Sequence, residues 1–259
     1  MTDYTGTGRP PFAPEERARL RSELLERAAM DSRLRGAAIT GSAAAGAEDQ
    51  WSDIDLAFGI RNSDEIPNVV ADWTAYMYER HLSLHHLDVR FGNWLYRVFL
   101  LPNTLQVDLA FVAAIDFRPL APSFKLMSGE ANEPGYVSPA PAGNIIGLAW
   151  LYALHARSCI ARGRLWQAEY MISGIRDNAL ALCCIRHGLP AVHGRGLDQL
   201  PIAAASKFEG TLVRNLDPAE LSRAFRVSVQ GLLDEIRSAD EGLADKLQTV
   251  LMLLTETES

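Results

Sequence analysis

Residues 52–60, SDIDLAFGI, alternate in side-chain character, and no other stretch restricts the fold of this chain as strongly. Successive side chains of a β-strand point to opposite faces of the sheet. Ile54, Leu56, Phe58 and Ile60 therefore share one face, and Asp53, Asp55, Ala57 and Gly59 share the other. Such a strand belongs in a sheet backed by other elements. It also needs positive charge opposite its two carboxylates, because burying unpaired charge is costly. The run LQVDLAFV repeats the phase, with Leu105, Val107, Leu109 and Phe111 on one face and Asp108 on the other. If the two strands are neighbours, three carboxylates converge.

The stretches around these strands read as a small mixed α/β unit. EERARLRSELLERAAMDSRL, entered through Pro14, sets Leu20, Leu24 and Leu25 at helical spacing, and GAAIT is a short strand ending at Gly41-Ser42. DEIPNVVADWTAYMYERH predicts a helix with Asp64 and Glu65 in its first turn, and LHHLDVRFG and WLYRVFLL predict a hairpin through Gly92-Asn93. Residues 1–13, rich in Gly, Pro and Thr, are expected to be a disordered arm. Between Asp116 and Gly143 the strand pattern stops in a stretch holding five prolines and three glycines. Four helical stretches come next, beginning at NIIGLAW, RLWQAEY, DPAELSR and EGLADKL. The expected fold is α+β: a mixed α/β domain over 1–118, a linker over 119–142, and an antiparallel helical bundle over 143–259, with a cleft between the domains. Trp150, Tyr152, Trp166 and Tyr170, at helical spacing, are expected in the bundle core.

Hydrophobic residues make up 48% and charged residues 22%, ordinary values for a globular chain. No stretch has the length of a signal peptide core or a membrane span, so a cytoplasmic protein is expected. A net charge of −7 argues against affinity for nucleic acid, which is built from clustered Lys and Arg. Cys159, Cys183 and Cys184 lie in helical apolar patterns and read as core residues, not as a disulfide framework or a zinc site.

Three convergent carboxylates cannot all stay ionised without a counter-charge. Magnesium suits an open set of this kind, since it prefers a few carboxylates together with phosphate oxygens. Two such ions would let one activate an acceptor hydroxyl while the other steadies departing pyrophosphate. Gly41 permits a tight turn, Ser42 can cap the short helix beginning there, and the first amides of that helix would face an anion.

The segment GSAAAGAEDQWSDIDL, with Asp108 downstream, resembles the Gly-Ser, Asp-x-Asp, Asp signature of the nucleotidyltransferase superfamily, whose fold is that of the DNA polymerase beta palm. The helical half is similar to small-molecule adenylyltransferases, including the aminoglycoside and lincosamide types. The resemblance implies Asp53 and Asp55 as metal ligands, Asp108 as third ligand or base, and Gly41 and Ser42 as triphosphate contacts. One departure is Ala43-Ala44-Ala45, where many members place a basic or polar residue. By the same resemblance, Glu169 is a candidate base and Arg176, seven residues on along the same helix face, a phosphate-holding group. Arg195, in the loop GLPAVHGRGLDQLP, is a second such group. For each, an ordinary surface residue is the alternative.

Asp88, Arg90 and Arg97 either border the cleft or simply line an exposed strand, and the adjacent His85 and His86 face opposite sides. Arg186 and His193 match a loose Arg-(six residues)-His pattern found in helical ribonucleases, although Leu189-Pro190 interrupts it. The implied activity is a Mg-dependent nucleotidyltransferase, moving AMP from ATP to a small-molecule hydroxyl, with an aminoglycoside-like acceptor suited to an acidic cleft. The alternatives are a non-catalytic nucleotide-binding or regulatory module, or an adenylyltransferase acting on protein or RNA.

Overall fold

The computed structural model describes residues 12–137 and 141–256, so the arm expected over 1–13 falls, up to residue 11, outside the described residues. Phe12, at its described end, is buried in a core. The chain divides into two compact units, 1–137 and 138–259.

The first unit is a six-stranded sheet in the order β3-β4-β5-β2-β1-β6. Its strands are β1 (Leu34–Thr40), β2 (Ile54–Ile60), β3 (His85–Phe91), β4 (Trp94–Leu100), β5 (Gln106–Ala113) and β6 (Phe124–Gly129). β2 and β5 run parallel, and every other neighbouring pair is antiparallel. Helices α1 (Pro14–Met30) and α3 (Ile66–His81) pack on one face, and the four-residue α2 (Gly41–Ala44) directly succeeds β1. The expected alternation holds: Ile54, Leu56, Phe58 and Ile60 are buried with Val107, Leu109 and Phe111 in the core beneath α1 and α3. There Phe58 meets Trp73 at 4.6 Å and Phe111 at 5.6 Å between ring centroids. Full burial of side chains this large contributes about 2–3 kcal/mol each. The hairpin between β3 and β4 turns on Gly92-Asn93, with Phe91 paired to Trp94 and Gly92 at φ 56°.

On the opposite face the sheet carries small residues. Gly36, Ala38, Ala57, Gly59 and Ala110 leave a shallow floor on which Phe117, fully buried, packs. A Cβ at Gly59 would stand 2.5 Å from the Phe117 ring, so this glycine is fixed by packing rather than by backbone conformation.

The structure differs from the sequence reading at the expected linker. Phe124–Gly129 form β6, an edge strand antiparallel to β1, so the first unit extends past residue 118. Most of its side chains are exposed, and its partner lies far back in sequence, so no local pattern marked it.

The second unit is helical: α4 (Ala142–Ala161), α5 (Leu165–Arg186), the short α6 (Ile202–Ala205), α7 (Pro218–Ala239) and α8 (Glu241–Leu254). The four expected long helices are present, and residues 187–217, which include α6, make a long connection between α5 and α7. α4 and α5 both end on a left-handed glycine. Past Gly163 the Arg164 amide reaches back to Cys159 O at 2.9 Å, and past Gly188 the Leu189 amide reaches Cys184 O at 2.9 Å. Small residues, among them Ala149, Ala153 and Ala168, let these helices approach closely, and Tyr152 lies against Gly174. Trp150, Trp166 and Tyr170, expected in the core, are exposed; only Tyr152 of that group packs on it. All three cysteines are buried and free. Among the described residues no helix is long and apolar enough to cross a membrane.

Arg186, half of the ribonuclease-like pattern, has a structural role. Its guanidinium grips Glu235 of α7 through two bonds of 2.9 and 2.8 Å, and Glu235 is buried. Removing one partner of a buried pair strands the other charge. Arg186 is itself 37% exposed, which lets water reach the pair. Arg186→Ala is accordingly expected to lower stability by about 2 kcal/mol, below the usual cost of breaking a fully buried pair. Urea unfolding monitored by circular dichroism measures it.

Candidate active site

Asp53, Asp55 and Asp108 come together at the start of β2 and β5. Carboxylate oxygens from the three lie within 4.8 Å of one another, and all three residues are partly exposed. The parallel register does this, because Asp55 is the direct partner of Asp108 and Ile54 of Val107. Period-two alternation then turns all three acids away from the helices and onto the face of small residues.

The loop before Asp53 is held from α1. Arg17, buried, donates from Nη1 to Asp49 O at 2.7 Å and to Ser52 O at 2.8 Å, and pairs with Glu48 at 3.0 Å. Arg21 adds a second contact to Glu48. Within the loop, Asp49 Oδ1 accepts from the Trp51 amide at 2.8 Å and the Ser52 hydroxyl at 3.0 Å. Arg17 is thus a positioning residue for Asp53. Its signal in the sequence was an arginine at a position continuing the apolar stripe of α1.

Gly41 stands against the acids. Its φ is 64°, a left-handed conformation, and a Cβ there would overlap Asp55 Oδ2. Two independent reasons therefore require glycine at this position: the backbone turn and the closeness of the carboxylate. Ser42 lies in the first turn of α2, where amides have no intrahelical acceptor.

Burial, and to a lesser degree the nearby Asp53 charge, push the Asp108 carboxyl up to about 6, against a hydrogen bond from Gln106 that acts the other way. Gln106 donates from Nε2 to Asp108 Oδ1 at 2.9 Å and to Asp53 Oδ2 at 3.3 Å, bridging two acids where a cation would bind. Sequence reasoning passed over Gln106, although it lies two residues before Asp108 and so on the same face. An all-oxygen set of three crowded acids, one of them reluctant to ionise, fits a hard divalent cation of the magnesium class.

In the metal-free protein this raised pKa gives stability a pH dependence of definite sign. The folded pKa of about 6 lies above the ordinary value of 3.8, so the folded state holds its proton more tightly and unfolding releases it between these pH values. The contribution of Asp108 to stability should fall as pH rises from about 4 to about 6, by up to about 3 kcal/mol, and the Asp108→Asn variant should lack that component of the slope. Conversely, stabilisation by magnesium should be weak at about pH 5, where the proton competes, and strong at about pH 7.5. Thermal unfolding across this range, with and without the ion, checks both.

Residues expected from the helical half have local partners. Glu169 accepts from the Ser173 hydroxyl at 2.6 Å, Arg176 pairs with the exposed Asp177 at 3.0 Å, and Arg195 is exposed on a turn where its carbonyl accepts from Gln199 Nε2 at 3.0 Å. Arg97 grips Asp88 through two bonds of 2.7 Å across the β3–β4 pair, holding Asp88 below the usual carboxylate range. That pair is part of the sheet, and His86 is likewise engaged with Tyr78 Oη at 2.9 Å.

No family model matches the chain, and neither does any curated protein. Among solved structures it is similar to an aminoglycoside 6-adenyltransferase from Bacillus subtilis, with a TM-score of 0.41 and 12% identity over 90% of this chain and 96% of that one. It is also similar to the polymerase core of TRAMP, an RNA surveillance complex, with a TM-score of 0.29 and 13% identity over 94% of this chain and 84% of that one. Neighbours this distant carry no weight on what the chain acts upon.

Proposed function

We propose that this protein is a nucleotidyltransferase that moves a nucleoside monophosphate, AMP from ATP, onto a hydroxyl of a small molecule. The observation that carries this reading is the convergence of Asp53, Asp55 and Asp108 beside the left-handed Gly41. The acceptor oxygen attacks the α-phosphorus in line; a new P–O bond forms, the bridging bond to the β-phosphate breaks, and pyrophosphate leaves toward Gly41 and Ser42. Asp108, which meets Asp53 and Asp55 at the same spot, would take the hydroxyl proton when it is not a ligand. Asp53 and Asp55 would hold two magnesium ions, with Asp108 as the third ligand when it is not the base. Those ions would neutralise triphosphate charge and acidify the acceptor hydroxyl.

Glu169 as an alternative base, and Arg176 and Arg195 as groups that hold phosphate, belong to the same proposal. So does a cytoplasmic setting, which the three buried free thiols support. Incubation with labelled ATP, magnesium and an acceptor panel, read as pyrophosphate release, tests the activity. Magnesium–ATP stabilisation with no release across a broad panel would replace it by a nucleotide-binding module, and label on protein or RNA would change the acceptor class.

A further inference from the structure

Side chains on the acidic face of the sheet fall into rows across the strands. The first row runs Leu87, Val98, Asp108, Asp55. The next runs Val89, Tyr96, Ala110, Ala57, Ala38, and beyond it lie Gly36, Gly59 and Val112 under Phe117. Between the acids and the Phe117 cover the floor is therefore alanine, and it is walled by aromatic rings. Trp94 and Tyr96 lie near parallel, 6.0 Å apart at 25°, with Leu120 and Phe124 from the loop and strand beyond Phe117 completing the wall. The half-open cavity measures about 150 Å³. Ala57 and Ala110 each come two residues after an acid of the triad, so the cavity opens about 7 Å along the strands from the carboxylates.

We propose that this cavity is the ring subsite for the acceptor, and that the acceptor carries its hydroxyl on a short arm from a compact, uncharged aromatic ring rather than on an amino sugar. The inference rests on the nucleotidyl-transfer reading above and narrows its substrate class. Size sets the first limit, since a cavity of this volume holds one six-membered ring and not a purine with its sugar. Charge sets the second. Among the described residues the wall holds no acid to pair with an ammonium, and its charged side chain, Arg118, has its guanidinium bound to Ile115 O at 2.7 Å. Stacking on Trp94 and Tyr96 suits a flat aromatic ring. The Tyr96 hydroxyl has no hydrogen-bond partner among the described residues, and burial raises its pKa, so it stays protonated and can donate to a ring substituent. Val89 and Phe91, 47% and 53% exposed, continue the apolar surface on the same face. With the ring seated on alanine, a hydroxyl one or two carbons away reaches the acids.

The test uses benzyl alcohol, methyl α-glucoside and 2-deoxystreptamine as probes, with saturation-transfer NMR on the full chain. Benzyl alcohol should bind wild-type protein, and its affinity should fall at least tenfold in Ala121→Phe. That substitution is on an exposed loop residue lining the cavity, where the new ring plugs it, and circular dichroism confirms that the variant is folded. Ala57→Leu, which raises the floor, should do the same. Absence of benzyl alcohol binding, equal binding in Ala121→Phe, preference for methyl α-glucoside or 2-deoxystreptamine, or displacement of the ring by adenosine would each overturn the subsite. Magnesium–ATP stabilisation of the wild type is measured separately. Its absence sinks the transfer reading and leaves the ring result standing, so the two failures are told apart.

Discussion

Asp55→Asn is expected to lower nucleotide transfer by at least on the order of a thousandfold while the chain stays folded. The substitution keeps the shape of the side chain and removes one unit of negative charge from the centre of the triad, where Asp55 is paired in register with Asp108. The magnesium-dependent rise in melting temperature should shrink in parallel with activity. A merely structural aspartate would instead leave turnover and the magnesium response intact. Pyrophosphate release and thermal unfolding, measured on one preparation, separate the cases, and unchanged turnover refutes the assignment.

Gly41→Ala should damage the same site through geometry alone. Adopting φ 64° costs a residue with a Cβ about 1–2 kcal/mol, and the new methyl overlaps Asp55 Oδ2 as well. The carboxylate has to move, and displacement of a reacting group by about 1 Å typically costs about a hundredfold in rate. Gly46 supplies the control. Its φ is 67°, but a Cβ there meets nothing within 4 Å, so Gly46→Ala bears the backbone cost without the collision. Both variants should lose similar stability from the turn, whereas only Gly41→Ala should lose most of its activity. Equal activity in the two would mean that the contact with Asp55 has no consequence for the chemistry.

The features legible in the sequence were those written in local periodicity. Alternation assigned the faces of β2 and β5, Gly92-Asn93 marked the hairpin, and the 3.6-residue pattern located the four long helices. β6 was not legible, because an exposed edge strand lacks an apolar face and its pairing with β1 is a tertiary contact. In the site, the acids and Gly41 could be read from spacing and phase. Arg17 could not, because its hydrogen bonds go to carbonyls of a loop 32 and 35 residues away. Gln106 was readable by phase and was missed because a neutral amide among acids draws no notice until its two acceptors are located. Exposed Trp166 and Tyr170 show the limit of periodicity in a mostly apolar helix, where more than one face can be apolar.

The parallel partnership of β2 with β5 has a consequence for how the protein matures. Hairpins form from chain neighbours, but this pair closes only after α3 and the β3–β4 hairpin have been laid down between its members. Asp53 and Asp55 lie on one segment from the start, while Asp108 joins them only through a long-range pairing. Divalent-ion affinity is therefore a property of the finished sheet, so an ion drawn to the site acts as a latch on the completed chain and gives incomplete ones little help.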